Sequence, residues 1–387
     1  MSKLSRSGTE VKSNRRASGK EIVLAAGEEV VVGVDAHRRD YKVCVWSCQR
    51  DAPVAEWVCA PQVEALERRL AAIRGQVREI VYEAGPTGFW LARGLQARGW
   101  RAGVISAAHL PQAAVGPDKS DRLDARELGQ WGSRGLLHAV DVPTAAEEAE
   151  RELFRGRDRL CRQVRRIKQQ IKSFLLFHGI EEPAGLKTWS GSAVAALRRL
   201  TLRESLRWGL DELLENLGYF QERLRLATRR LRQVAARAEC QERVARLRTI
   251  PGVGEITALG FALELPRPER FASGRELGRY LGLSPRVSSS GETTRQQGRH
   301  RSGQERLRAV MIEAAWQWRR RDALALARYN RVLSNTGNGK KAITALARKL
   351  AIVMWRIDTT GERYCPGLLH VPPAVFEGMK RRAARAA

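Results

Sequence analysis

The order of apolar segments between residues 30 and 105 constrains the fold more than any other feature of this chain. Short β-branched or alternating runs indicate strands, and apolar residues repeated every three to four positions indicate helices. The order is three strands, a helix, a strand, a helix and a strand, over Val30–Asp35, Tyr41–Trp46, Val54–Cys59, Pro61–Arg74, Glu79–Glu83, Phe89–Ala97 and Ala102–Ile105. The pattern predicts an α/β domain with a mixed sheet.

This order of elements is that of an RNase H-like or RuvC-like domain, which a further helix would complete. We expect that helix to begin near Asp121 and to close the domain around residue 135. The domain is therefore predicted to cover residues 29–145.

Four acids in this predicted domain are candidates for one site. Asp35 and Glu83 each end a predicted strand, and Asp121 and Asp124 are three residues apart at a helix start, so that both can face one direction. Clustered carboxylates repel one another unless cations lie between them, as two divalent ions do in phosphoryl transfer. The alternatives are a helix N-cap at Asp121 and a turn residue at Asp35.

Residues 146–247 have a different, helical pattern. Apolar residues at three-to-four spacing extend from Leu153 to Phe174 and again from Leu210 to Val234. Pro183 and Gly185 mark the turn between the two runs. The spacing predicts a helical coiled-coil connector, and two ordinary helices packed on a globular domain remain the alternative.

A mostly helical third region is predicted over residues 248–360. Helices are expected near residues 254–264, 273–281, 303–320 and 340–357, with a polar loop over Ser288–Gly303. Gly252 and Gly254, in the segment Ile250–Gly254, suggest a helix-hairpin-helix-like element whose backbone approaches a nucleic-acid phosphate. A plain turn between two helices explains the same residues.

Serines and arginines are concentrated in the predicted loop. Ser288, Ser289 and Ser290 precede Gly291, and basic residues follow them. A serine among arginines can attack a phosphodiester, since the cations neutralise the pentavalent phosphate. The alternative is a linker whose arginines only bind phosphate. The candidate nucleic-acid-binding arginines are Arg295, Arg299, Arg301, Arg306 and Arg308.

The charge is high and unevenly distributed. The formal net charge is +27, and the first 145 residues contain 21 Lys and Arg against 17 Asp and Glu, whereas the rest of the chain contains 48 against 25. Such a field attracts a polyanion, and the excess of arginine suits contacts with phosphate. A solvated basic surface from an arginine-rich genome is the alternative.

The cysteines and histidines do not form a metal-binding pattern. The six cysteines are scattered without a C-x-x-C pair, which suits reduced thiols in the cytoplasm. Any catalytic metal is therefore expected to be held by carboxylates, which favours Mg²⁺ or Mn²⁺.

Both ends of the chain are predicted to be tails. Residues 1–28 are basic and lack the apolar stretch of a secretory signal, so we expect a disordered basic tail, and residues 361–387 form a second, C-terminal tail. No apolar run reaches the length of a membrane helix, so no membrane partner is expected. The expected location is the cytoplasm, in association with the bacterial nucleoid.

Several motifs together resemble the IS110 family of insertion-sequence transposases, which combine a RuvC-like DEDD domain with a serine-bearing C-terminal domain. The resemblance covers roughly residues 30–360 in the family's order and spacing. Its motifs are Val32–Asp35, Tyr82–Gly88, Lys119–Ala125, Ile250–Gly254, Gly282–Pro285 with Ser290–Gly291, Asn338–Lys341 and Arg348–Ala351.

The resemblance implies a DNA transposase in which Asp35, Glu83, Asp121 and Asp124 bind metal ions. It implies that Ser290, chosen over Ser288 and Ser289 by its place before Gly291, forms a covalent phosphoserine link to DNA. The partners that it implies are donor and target DNA, a structured guide non-coding RNA (bridge RNA) and further copies of the chain, as a dimer or tetramer with a composite site.

Two other functions fit parts of the pattern. A RuvC-like metal-dependent nuclease or Holliday-junction resolvase would use the carboxylates alone, with water as the nucleophile. A non-catalytic nucleic-acid-binding protein with a decayed acidic site would need only the basic charge.

Overall fold

The computed structural model describes residues 21–85, 87–106, 124–290, 293–299, 304–365 and 367, with the backbone alone at 285–290 and 293–299. The chain divides into two compact units between Thr144 and Ala145. The predicted tail up to residue 20 and residues 368–387 of the second tail lie outside the described ranges. No described helix is both long and apolar enough to cross a membrane.

The first unit is a mixed α/β domain, as the sequence predicted. Its described elements are β1 (Ile22–Val23), β2 (Glu29–Ala36), β3 (Tyr41–Ser47), β4 (Ala52–Cys59), α1 (Val63–Leu70), β5 (Ile73–Arg74), β6 (Gln76–Glu83), α2 (Trp90–Gln96), β7 (Ala102–Ile105), α3 (Ala125–Ser133) and β8 (Ala139–Val140). Six of the strands form one sheet in the order β4-β3-β2-β6-β7-β8. Neighbours β2, β6 and β7 run parallel, and the other pairs are antiparallel.

Strand β2 is buried on both faces, which explains why its sequence is continuously apolar rather than alternating. Val30, Val32 and Val34 pack in a core that includes residues of α1 and α2. Val31, on the opposite face, packs with Leu128 of α3. The sheet is therefore covered by helices on both sides.

The N-terminal segment differs from the sequence prediction. Residues 21–28, which we assigned to the basic tail, are ordered, because β1 pairs in parallel with β5. Glu28 is 4% exposed and accepts hydrogen bonds from Ser47 and Arg50. Since β5 begins at Ile73, the helix predicted over residues 61–74 is limited to α1.

The second unit is mostly helical, also as predicted. Its described elements are α4 (Ala145–Phe177), α5 (Gly191–Arg199), α6 (Glu204–Ala235), α7 (Ala238–Leu247), α8 (Glu255–Glu264), a 3-10 turn (Pro268–Arg270), α9 (Gly274–Tyr280), β9 (Pro285–Ser290), β10 (Thr293–Arg299), α10 (Glu305–Arg321), α11 (Ala323–Thr336) and α12 (Gly339–Thr360).

Helices α4 and α6 lie antiparallel within one chain. Phe174, near the end of α4, lies beside Gly209 at the start of α6, and Arg157 donates to Thr228 Oγ1 at 3.0 Å. The C-terminal half of α4 and the N-terminal half of α6 share a core of their own, to which α5 contributes Leu197. At the other end, Phe154 joins the large core built mainly by α7–α12.

Several elements of the second unit were not predicted from the sequence, among them a hairpin and the helix α11. The two-stranded hairpin of β9 and β10 begins at Pro285 and extends through much of the segment predicted as a polar loop over Ser288–Gly303. A separate helix, α11, follows α10, because Asp322 leaves the helical conformation and its side chain accepts from Ala325 N at 2.9 Å as the N-cap of α11.

Candidate active site

Asp35 and Glu83 lie at the carboxyl ends of two adjacent parallel strands. In the register of β2 and β6, Gly33 is opposite Val81 and Val34 is opposite Tyr82. Asp35 and Glu83 are the next residues of the two strands. The sheet therefore brings these two acids to neighbouring positions at one edge, as their places in the sequence predicted.

Both acids belong to the face of the sheet that α3 covers. Residues two apart on a strand share a face, so Asp35 lies on the side of Val31, and Glu83 lies on the side of Val81. Val31 and Val81 pack together with Leu128 of α3. The side chains of Asp35 and Glu83 thus point toward the side from which α3 approaches.

Helix α3 brings a third acid to the same side. Its first residue, Ala125, lies directly over Gly33, where an added Cβ would be only 2.0 Å from the Ala125 carbonyl oxygen. Asp124 immediately precedes this contact, and Gly33 is two residues from Asp35. The absence of a side chain at Gly33 is what permits this close approach.

Asp124 is the N-cap of α3. Its Oδ1 accepts from the backbone N–H of Glu127 at 2.8 Å, and Glu127 Oε2 accepts from Asp124 N at 3.4 Å. This capping box fixes the acid at the helix start and leaves Oδ2 for another partner. The described helix starts after Asp124, and Asp121, near which the sequence predicted the start, lies outside the described residues.

Two side chains that are not among the predicted site residues, His37 and Tyr82, form contacts next to the acids. Nδ1 of His37 lies 2.8 Å from Oδ1 of Asp35, whose side chain is 17% exposed. The Tyr82 hydroxyl donates to Gly88 O at 2.9 Å and accepts from Ala92 N at 3.2 Å. Tyr82 therefore fixes the segment that follows Glu83 against α2.

The acids suit a divalent ion in donor chemistry, since carboxylate oxygens are the ligands that Mg²⁺ and Mn²⁺ prefer. Within the described ranges, no three Asp, Glu, His or Cys side chains lie close enough together to hold a metal. Asp35 and Glu83 lie at adjacent strand ends, Asp124 precedes the helix start that lies over Gly33, and Asp121 is three residues from Asp124 in the chain.

Ser290 is the last residue of β9, at the end of the ladder that it forms with β10. Its register partner is Thr293, so that two residues join the paired strands. Ser288 is opposite Arg295, and Pro285 is opposite Arg299. The backbone therefore places Ser290 at the far end of a two-stranded ribbon.

The base of this ribbon is attached to the helical core. The backbone N–H groups of Leu283 and Ser284 both donate to Gly278 O, at 2.9 and 3.2 Å, and Gln304 N donates to Tyr280 O at 3.0 Å. The end of α9 thus holds the chain both where it enters the ribbon and where it returns.

The two glycines of the predicted hairpin turn have different surroundings. Gly252 has a φ of +88°, and an added Cβ would be 2.8–3.0 Å from the backbone of Gln317 and Trp318 in α10. Gly254 is the N-cap of α8 and has open space where a side chain would be. Gly254 therefore has open space at its Cα, whereas Gly252 is in close contact with α10 there.

The candidate arginines also differ. Arg306 forms an ion pair with Asp158 at 3.1 Å, and Arg308 is 5% exposed and donates to Leu281 O at 3.3 Å. A nucleic-acid contact by Arg308 would require that buried bond to open. Arg295 and Arg299 are described by backbone alone, and Arg301 lies outside the described residues.

Two family models match parts of the chain. Residues 244–330 match the family model described as the transposase IS116/IS110/IS902 family. Residues 32–179 match a second transposase model, of the DEDD type and named for IS110. The four acids lie in the second matched range, and Ser290 lies in the first.

A relative that matches most of the chain decides the family. A putative transposase, y4qE, from Sinorhizobium fredii is 30% identical over 369 residues, which cover 86% of this chain and 90% of the relative. The chain belongs to the IS110 family of transposases. It is accordingly a DNA transposase of an insertion sequence, and it binds DNA.

Other relatives of this IS110-family transposase are named for insertion sequences. The transposase for IS1111A from Coxiella burnetii is 26% identical over 370 residues, covering 90% of this chain and 93% of the relative. The transposase for IS1328 from Yersinia enterocolitica is 29% identical over 282 residues, covering 70% and 81%. The DEDD match indicates that this transposase depends on a divalent metal ion.

One buried network of the transposase could not be found from sequence spacing. Glu264, at the end of α8, has a fully buried side chain and accepts from Arg155 at 2.9 and 2.8 Å. Arg151 lies 3.8 Å away, and Gln304 Nε2 donates to the same carboxylate at 3.1 Å. The network therefore joins α4 and α8 to the residue at which the ribbon returns to the core.

Proposed function

We propose that this transposase cuts and rejoins DNA through a covalent phosphoserine intermediate on Ser290, with the help of metal ions held by Asp35, Glu83, Asp121 and Asp124. The observation that supports it most directly is the placement of Asp35 and Glu83 at adjacent strand ends, on the face of the sheet where the start of α3, capped by Asp124, contacts Gly33. Two of these acids come from strand ends, and the third comes from a helix start.

The metal ions would be Mg²⁺ or Mn²⁺. Bound there, they would neutralise the charge that develops on the phosphate oxygens during strand exchange. The chain itself positions the acids at this edge: the capping box holds Asp124, and the Tyr82 hydroxyl holds the segment that follows Glu83.

Ser290 is preferred over its neighbours on strand geometry as well as on its place before Gly291. Consecutive residues of a strand belong to opposite faces, so Ser289 is on the other face from Ser290. Ser288 shares the face of Ser290 and is opposite Arg295, which belongs to that face too. Ser290 alone of the three is at the end of the ladder.

Each step of the proposed reaction forms one P–O bond and breaks another. The Ser290 hydroxyl loses its proton and forms an Oγ–P bond while one P–O bond to deoxyribose breaks, and the departing sugar oxygen takes up a proton. A hydroxyl of another strand then attacks the phosphoserine, which restores Ser290. Because one phosphodiester replaces another, no nucleotide cofactor is needed.

The partners follow from the family resemblance and from charge. The residues after position 145 contain 48 Lys and Arg against 25 Asp and Glu, which suits donor DNA, target DNA and a guide non-coding RNA. Base pairing by the RNA would choose the sequence while the protein contacts the backbone. Gly254, with its open helix start, is a candidate phosphate contact.

The domain organisation and assembly are proposed in the same way. Residues 29–145 form the DEDD domain, residues 146–247 form a coiled-coil connector that includes α4 and α6, and residues 248–360 form the serine domain. The connector would join copies of the chain into dimers or tetramers, in which the acids of one copy assist the serine of another.

The proposal is tested by trapping the protein–DNA adduct. Labelled duplexes carrying the ends of the insertion sequence are incubated with the transposase, its copurified RNA and Mg²⁺, and then separated under denaturing conditions. We expect an adduct with the unchanged protein and with Ser289→Ala, and none with Ser290→Ala. Mass spectrometry of the digested adduct should place the phosphate on residue 290.

Each other outcome has a definite meaning. If Ser290→Ala still cuts DNA without an adduct, water is the nucleophile and the protein is a metal-dependent nuclease. If Asp35→Asn keeps full activity, the acids do not take part. Ribonuclease treatment that leaves the choice of target unchanged would exclude a guide RNA.

A further inference from the structure

A group of cations lies where α11 and α12 pack together. Arg328 and Arg331 are exposed and three residues apart, so they belong to one side of α11. Arg348 and Lys349 of α12 are half-buried. We call these four residues the basic face.

The members of the basic face are close enough to repel one another. Partial shielding from water, followed by repulsion from Arg348 and Arg331, lowers the pKa of Arg328. Burial, followed by repulsion from Arg328 and Arg356, lowers the pKa of Lys349 to about 8. Arg328 therefore lies at the centre of the group, near cations of both helices.

The three arginines of the basic face have no carboxylate partner among the residues that the structure describes. Some arginines elsewhere in the same unit are paired with an acid. Arg243 lies 2.6 Å from Asp358, and Arg165 lies 2.6 Å from Glu313. Gathering like charges without an acid costs stability, and an anionic ligand removes that cost.

The basic face is next to the base of the ribbon. An added Cβ at Gly278 would be 2.9 Å from Ser284 Oγ and 3.4 Å from Arg348 Cδ, so Arg348 lies beside the residue that leads into β9. Exposed Lys341 is seven residues before Arg348, on the same side of α12. The cationic strip along α12 is thus about 10 Å long, or roughly three base-pair steps.

We propose that Arg328, Arg331 and Arg348 bind the phosphodiester backbone of duplex DNA, as a sequence-independent clamp beside the base of the ribbon. The charge of the group, the lack of acidic partners for its arginines and its extent along the helix all suit a row of phosphates. The clamp requires DNA binding by the transposase and does not depend on which residue is the nucleophile.

The test measures DNA affinity as a function of salt for Arg328→Gln/Arg331→Gln, with Arg348→Gln as a separate variant. Each phosphate contact contributes about 0.9 to the slope of log K against log salt, so the double variant should lose about 2 from that slope. Its affinity should fall at least about tenfold, equally for the ends of the insertion sequence and for a scrambled duplex. Thermal stability should not fall, since the substitutions relieve repulsion.

The matched control is Arg165→Gln/Arg225→Gln, which removes the same charge from exposed arginines that are paired with Glu313 and Glu222. We expect its salt slope to stay within about 0.5 of the unchanged protein. Equal losses in both double variants would mean a general charge effect and would overturn the clamp. An unchanged slope for duplex DNA, including a loss confined to single-stranded RNA, would overturn it as well.

Discussion

Gly33→Ala is the smallest change that should separate the acids without altering any of them. The glycine is in β2, two residues before Asp35, and α3 crosses directly above it. An added methyl carbon would be 2.0 Å from Ala125 O and 2.7 Å from Gly129 N. Both contacts are with backbone, so no side chain can rotate away to make room.

The size of the effect follows from these distances. Real contacts of this kind are at least 3.0 Å, so α3 has to withdraw by about 1 Å, and Asp124 moves with it. Overpacking of this kind costs about 1–3 kcal/mol of folding free energy. A displacement of about 1 Å in a catalytic group can reduce the rate about 100-fold.

The assay compares folding and activity in one variant. Urea denaturation gives the loss of stability, strand exchange gives the loss of rate, and DNA binding should stay unchanged because the basic residues of the second unit are intact. Gly218→Ala, at an exposed position of α6, is the control, since nothing lies within 4 Å of the added carbon. It should stabilise the protein by about 0.5–1 kcal/mol.

One result would refute the geometry proposed for the acids. If Gly33→Ala folds with unchanged stability and exchanges strands at the normal rate, α3 does not need its close contact with β2. Asp124 would then be a helix cap with no catalytic role, and the acid cluster would have to be formed without it.

Two further predictions concern the second unit. Glu264→Gln should destabilise the protein by about 3–5 kcal/mol, because Arg155 and Arg151 lose their buried counter-charge. Glu313→Gln, which removes the acid of an exposed pair, should cost less than about 1 kcal/mol, and urea denaturation of both variants measures the two losses. The pKa of Lys349 is lowered to about 8 in the folded protein, against about 10.5 in the unfolded chain. Between these pH values the unfolded chain binds more protons than the folded protein, so the free energy of unfolding should rise with pH across that window. Relative to Lys349→Met, the rise should be at most about 3 kcal/mol, and a difference between the two proteins that is constant from pH 7 to 10 would contradict it.

The arrangement of Asp35 and Glu83 could be predicted from the sequence because the signals are local. A β-branched run that ends in an acid marks a strand end, and the order of strands and helices limits the sheet to few topologies. The close contact between Gly33 and the backbone of α3 could not be predicted in this way. It depends on the packing of residues about 90 positions apart.

The ribbon of β9 and β10 escaped prediction for a physical reason. Its strands consist largely of Ser, Thr, Gln and Arg, so they lack the apolar alternation by which a half-buried strand is recognised. The same limitation applies to the arginines. Arg306 and Arg328 are indistinguishable by residue type, and only the folded chain places Asp158 beside the first and further cations beside the second.

The proposed metal-binding acids and the proposed nucleophile belong to structural elements that differ in how well they are packed. Asp35 and Glu83 are at the edge of a six-stranded sheet that is packed on both faces, whereas Ser290 is at the end of a two-stranded ribbon, and such a ribbon is marginally stable on its own. The position of the ribbon therefore depends on its attachment at Gly278, Tyr280 and Glu264. Because Arg348 of the basic face contacts the same point of α9, DNA held by the clamp and the strand that leads to Ser290 share one rigid support. Substitutions that weaken this attachment should therefore disturb the proposed serine chemistry and the proposed DNA clamp together.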